Sequence, residues 1–255
     1  MPADDEGSPR ERYLTVFGRR AVREALDDPS LPVAQVFVAR DVAKSDARAL
    51  EAAAAARGIP LRRVPRDRVT RLSGSGRQHQ GVAADVETPN RRALGAWLAE
   101  AGTAAAACVL LDGVTTPANV GMIIRSAVAA GLDAVVVPTH GVADLGPLVI
   151  KASAGLAFRA PLVRVRTATD AADALSGAGF ELIELCAGGE EDLWSAPLHR
   201  RTALVVGGEH AGVSDAVRAR VSRAVRIPMA EGVESLNVAV AASMAFFEVR
   251  RRAPR

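Results

Sequence analysis

Lysine is almost missing from this chain: Lys44 and Lys151 stand alone among 32 basic residues. Arginine therefore carries nearly all the positive charge, in a planar fork that grips phosphate in a bidentate way lysine cannot match. Codon bias towards GC raises Arg and Ala throughout a chain, so only the clustering of arginines is informative. Aromatic residues make up 4% of the sequence, which leaves the core to Ala, Val and Leu. The two cysteines, Cys108 and Cys186, are too few for a disulfide framework or a four-ligand zinc site. They are expected to be buried, reduced thiols in a cytoplasmic protein without a metal centre. Apolar runs are too short to span a bilayer, so a soluble protein with no membrane partner is expected. The start, MPADDEGSPRER, is polar and charged rather than a signal peptide, and is expected to form a disordered tail over residues 1–12.

What is present is an α/β rhythm over 255 residues, enough for two modest domains. Residues 13–88 read as a small α/β unit. Arg19–Leu26 is expected to be helical, and VAQVFVAR (Val33–Arg40) alternates like a strand. SDARALEAAAAARG (Ser45–Gly58) reads as a helix with a serine cap and a terminating glycine. IPLRRV and GVAADV are further short strands. Residues 89–107 read as a linker carrying one helix, with Leu94, Trp97 and Leu98 at helical spacing. From 108 to 255, short β-branched runs (VLL, AVVV, PLVRV, ELIEL, ALVV) alternate with helical segments. That pattern predicts an open, mostly parallel sheet flanked by helices, ending in a long helix from about Ser235 to Arg252.

Ligands of open α/β sheets bind beyond the carboxyl ends of strands, so three loops stand out. In LDGVTTPANVGMIIRSA (Leu111–Ala127), Asn119 sits at a turn and Arg125 follows on the next helix. An ordinary strand–turn–helix junction with a solvated arginine would look the same. In LVVGGEHAGVS (Leu204–Ser214), paired glycines after a strand let a ligand press against the backbone, with Glu209 beside them and Ser214 capping a helix. His210 lacks a second His or Cys at ligand spacing. In RIPMAEGVESLNVAVAASMAFFE (Arg226–Glu248), capping by Ser235 accounts for that serine, and Leu236 reads as buried. Capping leaves a polar Asn237 before an almost wholly apolar helix unexplained.

Taken in this order, N-x-G-x-x-x-R, G-x-E-x-x-G and I-P-M-x-x-x-V-x-S-L-N-V-A-V-A resemble the SpoU/TrmH family of the SPOUT superfamily of RNA methyltransferases. The likeness covers about Val109 to Arg251. FGRRAVREAL and RQHQGVAA are similar to the ribosomal-protein-like substrate-binding module of family members that act on large-subunit rRNA. The resemblance implies S-adenosylmethionine-dependent 2′-O-ribose methylation, a deep C-terminal trefoil knot and a homodimer. It also implies a donor site formed by Gly207, Ile227, Met229 and Leu236, and Arg125 as catalytic arginine with Asn119, Glu209, Ser235 and Asn237. Two accounts of Arg125 stay open: transient proton acceptor, or permanent cation that stabilises the ribose oxyanion.

Between Ala56 and Gly81 lie Arg57, Arg62, Arg63, Arg66, Arg68, Arg71 and Arg77, against one acid, Asp67. Such a stripe suits RNA phosphate, although a solvated basic surface is the plain alternative. With so few aromatics, recognition by shape and backbone is expected rather than stacking on many bases. A non-catalytic RNA-binding or ribosome-assembly protein and a tRNA ribose methyltransferase are the rival functions. A dehydrogenase is disfavoured because the first-strand glycine fingerprint is missing.

Overall fold

The computed structural model describes residues 13–252 apart from Ser75, Arg77, Pro89, Asn90 and His210. The expected tail over residues 1–12 and the RNA-contact residue Arg77 lie outside the described residues. The chain forms two compact units: one holds Met1–Pro89 and Leu145–Ile150, the other Asn90–Asp144 and Lys151–Arg255.

The first unit runs β1 (Tyr13–Phe17), α1 (Arg19–Asp27), β2 (Val33–Ala39), α2 (Lys44–Ala56), β3 (Leu61–Val64), α3 (Arg66–Ser73) and β4 (Val82–Glu87). Its sheet has the order β1-β4-β2-β3, antiparallel except for the parallel β2–β3 pair. Helix α2 buries Ala47, Leu50 and Ala54, a one-face spacing of three and four residues. It begins at Lys44 with no side-chain cap, so Ser45 is not the cap expected from sequence. Asp46 and the ion pair it makes with Arg19 at 2.7 Å place negative charge in the first turn instead. Arg57 is structural: it donates to the carbonyl oxygens of Ala25, Leu26, Asp28 and Leu31 at 2.7–3.1 Å, satisfying the orphan carbonyls at the end of α1.

The second unit contains β5 (Arg92–Ala93), α4 (Leu94–Ala101), β6 (Ala106–Asp112), α5 (Pro117–Ala130), β7 (Ala134–Pro138), β8 (Leu162–Val165) and α7 (Ala168–Gly177). A short helix, α6 (Pro147–Ala152), precedes β8 in the chain. The unit continues with β9 (Glu181–Leu185), β10 (Glu191–Asp192), β11 (Arg201–Gly207), α8 (Asp215–Arg218), β12 (Arg223–Arg226) and α9 (Val238–Arg252). The eight strands are ordered β10-β12-β9-β11-β6-β7-β8-β5, and every pairing is parallel. The central strands are buried on both faces, which is why they read as unbroken apolar runs.

The stretch expected to be a linker is part of this unit. β5 pairs with β8, and Leu94 and Trp97 of α4 enter the core beside Leu110, Val136 and Phe180. The Trp97 and Phe180 rings lie 5.6 Å apart. Two apolar side chains three residues apart need a surface to cover them, and the sheet supplies it.

The last helix starts later than expected, at Val238, and packs along α5, where Ser243 Oγ donates to Ser126 Oγ at 2.6 Å. Its far end is clamped by the buried Glu248, which accepts from Arg251 and Arg252. Arg252 in turn donates to the carbonyls of Leu193 and Trp194. Among the described residues no helix is long and apolar enough to cross a membrane, and no cluster of three His, Cys, Asp or Glu residues could hold a metal.

Candidate functional site

The chain builds the sheet outward from β6 in one direction through β7 and β8, then crosses back to build β9 and β11 on the other side. Neighbouring crossovers therefore diverge between β6 and β11, leaving a crevice at their carboxyl ends. The two strands stay in register to the last pair, Asp112 and Gly207, so both following loops leave at the same level.

The loop after β6 turns at Thr116 into α5, with Pro117 opening the helix where its missing N–H costs nothing. This places Asn119 in the first turn, 3% exposed. The loop after β11 closes on itself through paired backbone bonds between Gly208 and Gly212 at 3.0 and 2.9 Å. A Cβ on Gly207 would fall within the backbone of Gly212 and Val213, and one on Gly208 would meet the Gly113 carbonyl. The glycines are required by space, because the backbones themselves make the wall. Asp112, at the end of β6, accepts from the Ser214 N–H at 2.7 Å and pins the loop from below.

Into this crevice the segment before α9 delivers Asn237. Asn119 Nδ2 donates to Glu209 Oε1 at 2.5 Å. Asn237 Nδ2 donates to Asn119 Oδ1 at 3.1 Å and to Glu209 Oε1 at 3.2 Å. Thr116 Oγ1 donates to Glu209 Oε2 at 3.4 Å. Asn237 Oδ1 accepts from the N–H groups of Ala239 and Val240, so Asn237, not Ser235, caps α9. Ser214 likewise precedes α8 without a side-chain cap.

A cavity beside this network is lined by Gly207, Ile227, Met229, Ser235 and Leu236, with Glu209 at its edge. All four residues expected to hold the donor thus meet in one place. Leu236 is 40% exposed rather than buried, because it faces that cavity from a loop instead of sitting inside α9. Arg125 stands apart. It is exposed and makes no hydrogen bond or ion pair with any described residue. Six residues beyond Asn119 on a regular helix, it lies roughly 120° around and about 9 Å along the axis.

Asp112, Thr116 and Glu184 were not singled out from sequence. The available signals were polar residues at the carboxyl ends of apolar strands, and, for Glu184, a charge on the same face of β9 as the core residue Leu182. Cys186 lines the same cavity, and burial followed by the neighbouring Glu184 pushes its thiol pKa up.

The arginine stripe of the first unit is partly neutralised. Arg63 pairs with Glu51, Arg66 with Asp41 and Arg71 with Asp67. Arg62 and Arg68 are exposed and have no ion pair among the described residues. The Arg68 guanidinium lies 5.9 Å from the centre of the Phe37 ring.

Comparison with known families matches residues 106–247 to the SpoU rRNA Methylase family. The chain belongs to that family. Residues 15–92 match a second family, RNA 2′-O ribose methyltransferase substrate binding. The 23S rRNA (guanosine-2′-O-)-methyltransferase RlmB of Xanthomonas campestris pv. campestris is 34% identical, over 93% of this chain and 96% of its own. An uncharacterized tRNA/rRNA methyltransferase of Mycolicibacterium vanbaalenii is 35% identical, over 93% and 76%. Among solved structures, the SpoU methyltransferase AviRb of Streptomyces viridochromogenes in complex with AdoMet is 27% identical with a TM-score of 0.66, covering 98% and 94%. A TrmH-family protein of Porphyromonas gingivalis is 27% identical with a TM-score of 0.67, covering 96% and 92%.

As a SpoU methylase, the chain is an S-adenosylmethionine-dependent RNA 2′-O-ribose methyltransferase. Its parallel sheet and the return of α9 onto α5 are consistent with the knotted fold of that family. The cavity fits the donor chemically. Bare glycine backbone and the apolar side chains of Ile227, Met229 and Leu236 suit the flat nucleoside. Two carboxylates, Glu184 and Glu209, and no basic side chain among the described lining residues suit a cationic sulfonium.

Proposed function

We propose that this methyltransferase modifies large-subunit rRNA in the cytoplasm as a homodimer, with Arg125 as catalytic arginine. The observation that carries the catalytic part is the Asn119–Glu209–Asn237 network, whose Glu209 lines the donor cavity, with an arginine on the same helix as Asn119 that has no partner among the described residues.

Bound S-adenosylmethionine supplies a methyl group already activated by a positively charged sulfur. The protein's task is to orient the ribose hydroxyl and stabilise its developing negative charge. Both oxygens of Glu209 are engaged by neighbouring donors, so Glu209 orients the two amides. Asn119 and Asn237 form the polar floor on which the ribose is set, and Ser235 adds a hydroxyl at the cavity wall. A guanidinium is effectively always protonated, so Arg125, which stands outside the amide network, would act as a cation that reaches the ribose oxygen once RNA is bound. The proton leaves to water.

Support for rRNA comes from the 34% identity with a protein named as a 23S rRNA methyltransferase, over nearly the full length of both chains. Exposed Arg62 and Arg68, with Arg77, would meet the RNA backbone, whereas Arg63, Arg66 and Arg71 are engaged by Glu51, Asp41 and Asp67. Support for a homodimer comes from the apolar side chains Met122, Val240 and Phe247, exposed on α5 and α9.

The test is methyl transfer by purified protein to transcribed large-subunit rRNA fragments and to tRNA, with the modified nucleotide mapped by ribose-methylation sequencing. Transfer to tRNA alone would overturn the substrate assignment. Arg125→Ala is expected to abolish transfer while donor affinity and melting temperature stay unchanged. Retained transfer would remove Arg125 from the mechanism. Sedimentation of the native protein as a monomer would refute the dimer.

A further inference from the structure

The donor cavity contains a carboxylate that the Asn119–Glu209–Asn237 network does not use. Glu184 stands on β9 beside the β6–β11 crevice, and its side chain is only 5% exposed although it is charged. It forms part of the cavity wall together with Cys186 and Gly212. Buried charges normally require a close partner with good geometry. The partner here is Arg218 of α8, whose Nε and Nη2 approach both carboxylate oxygens at 3.3–3.4 Å. The shorter bond from Nη2 goes elsewhere, to the Val213 carbonyl at 2.8 Å. Glu184 therefore retains acceptor capacity and an incompletely matched charge.

The pair is also asymmetric in its surroundings. Arg218 is 48% exposed, so water screens its positive end, whereas the negative end is enclosed beside the cavity. Glu209, the other acid of the lining, is occupied by Thr116, Asn119 and Asn237. No basic side chain joins the described lining residues. The wall thus carries net negative potential, to which Glu184 contributes an enclosed carboxylate whose counter-charge, Arg218, is half-exposed and 3.3–3.4 Å away.

We infer that Glu184 determines donor-over-product selectivity: its carboxylate favours the cationic sulfonium of S-adenosylmethionine and does not favour the neutral thioether that remains after transfer. The two molecules differ by one methyl group and one positive charge, so shape alone separates them poorly. A charge in the wall separates them electrostatically and lets fresh donor outcompete spent donor for the cavity. The inference rests on the assignment of the cavity to S-adenosylmethionine.

Calorimetry on the full chain tests it with three probes: S-adenosylmethionine, S-adenosylhomocysteine and sinefungin, which carries an ammonium where the donor carries its sulfonium. Glu184→Gln keeps the shape and removes the charge. It is expected to weaken the two cations by about fivefold and leave the thioether within about twofold. Arg218→Gln should act in the opposite sense, raising the ratio of cation to thioether affinity because Glu184 loses its counter-charge. Should Glu184→Gln fail to fold, the Arg218→Gln ratio decides the question alone. Parallel weakening of all three probes, or an unchanged ratio, would overturn the inference and leave Glu184 a structural residue. Wild-type protein that binds none of the probes would instead refute the donor assignment itself.

Discussion

Asn237 donates to Asn119 at 3.1 Å across 118 residues of chain, and the other end of the same amide caps α9. One side chain thereby starts the last helix and ties it to the first turn of α5. The cap satisfies two otherwise unpaired N–H groups of α9, while the donated bonds hold Asn119 and Glu209 in a single orientation.

Asn237→Asp separates these two jobs. Aspartate caps a helix as well as asparagine does, so the melting temperature should change by no more than about 2 °C. The Nδ2 donor is lost, however, and a second carboxylate is placed against Glu209. Transfer is expected to fall about 100-fold, near 2.7 kcal/mol in barrier height. A normal rate combined with an unchanged melting temperature would show that only the cap matters.

Gly207→Ala should disable donor binding and lower stability together, since its methyl group would need the backbone of Gly212 and Val213 to move. The expected cost is about 1–3 kcal/mol. Gly188→Ala serves as the control, because nothing lies within 4 Å of the position its Cβ would take. Equal melting temperatures and donor affinities for the two variants would contradict the close-packed wall.

His79 should make the first unit acid-sensitive. It is fully buried, its Nδ1 accepts from the Gly81 N–H at 2.9 Å, and its Nε2 lies 3.1 Å from Thr70 Oγ1. Burial, followed by the nearby Arg66, lowers its pKa below 6.5. A depressed folded pKa means the unfolded chain takes up the proton first. The stabilisation is therefore complete above pH 6.5 and is lost as pH falls towards the folded value. Glu248 behaves differently: Arg251, with Arg252, holds its pKa down to about 2, so its contribution persists until far more acidic pH. The protection of β4 amides, after correction for the intrinsic pH dependence of exchange, should fall below pH 6.5, and His79→Asn should flatten that slope.

Free and paired arginines of the first unit should differ in kind. Arg62→Ala and Arg68→Ala are expected to weaken RNA binding, each reducing the slope of log affinity against log salt by up to about 0.9. Arg63→Ala should instead lower the melting temperature, since Arg63 holds Glu51 at 2.7 Å and reaches the carbonyls of Ala39 and Val42. Filter binding across a salt series, with parallel melts, distinguishes the two outcomes. Identical salt slopes for all the variants would remove the stripe from RNA recognition.

Much of the architecture was legible because its signals are local. Strands buried on both faces must be apolar throughout, and β6, β7 and β11 announce themselves that way. The capping of α9 was misread because Ser235 and Asn237 are both good caps, and only the position of the helix start separates them. The region around α4 looked like a linker because a single amphipathic turn does not reveal which surface covers it. The basic stripe looked uniform because ion pairs such as Arg66–Asp41 join residues distant in sequence.

The sequence alone determined the α/β alternation, the glycine-walled loops and the set of polar residues available for chemistry, since these follow from side-chain type and short-range spacing. Tertiary structure decided which of those residues meet. Parallel pairing brings the ends of β6 and β11 level, and the return of α9 carries Asn237 to Asn119 and Glu209. Packing also leaves Arg125 outside that cluster and Glu184 enclosed with a half-solvated partner. Such outcomes depend on loop closure and burial over more than a hundred residues, which no local pattern encodes.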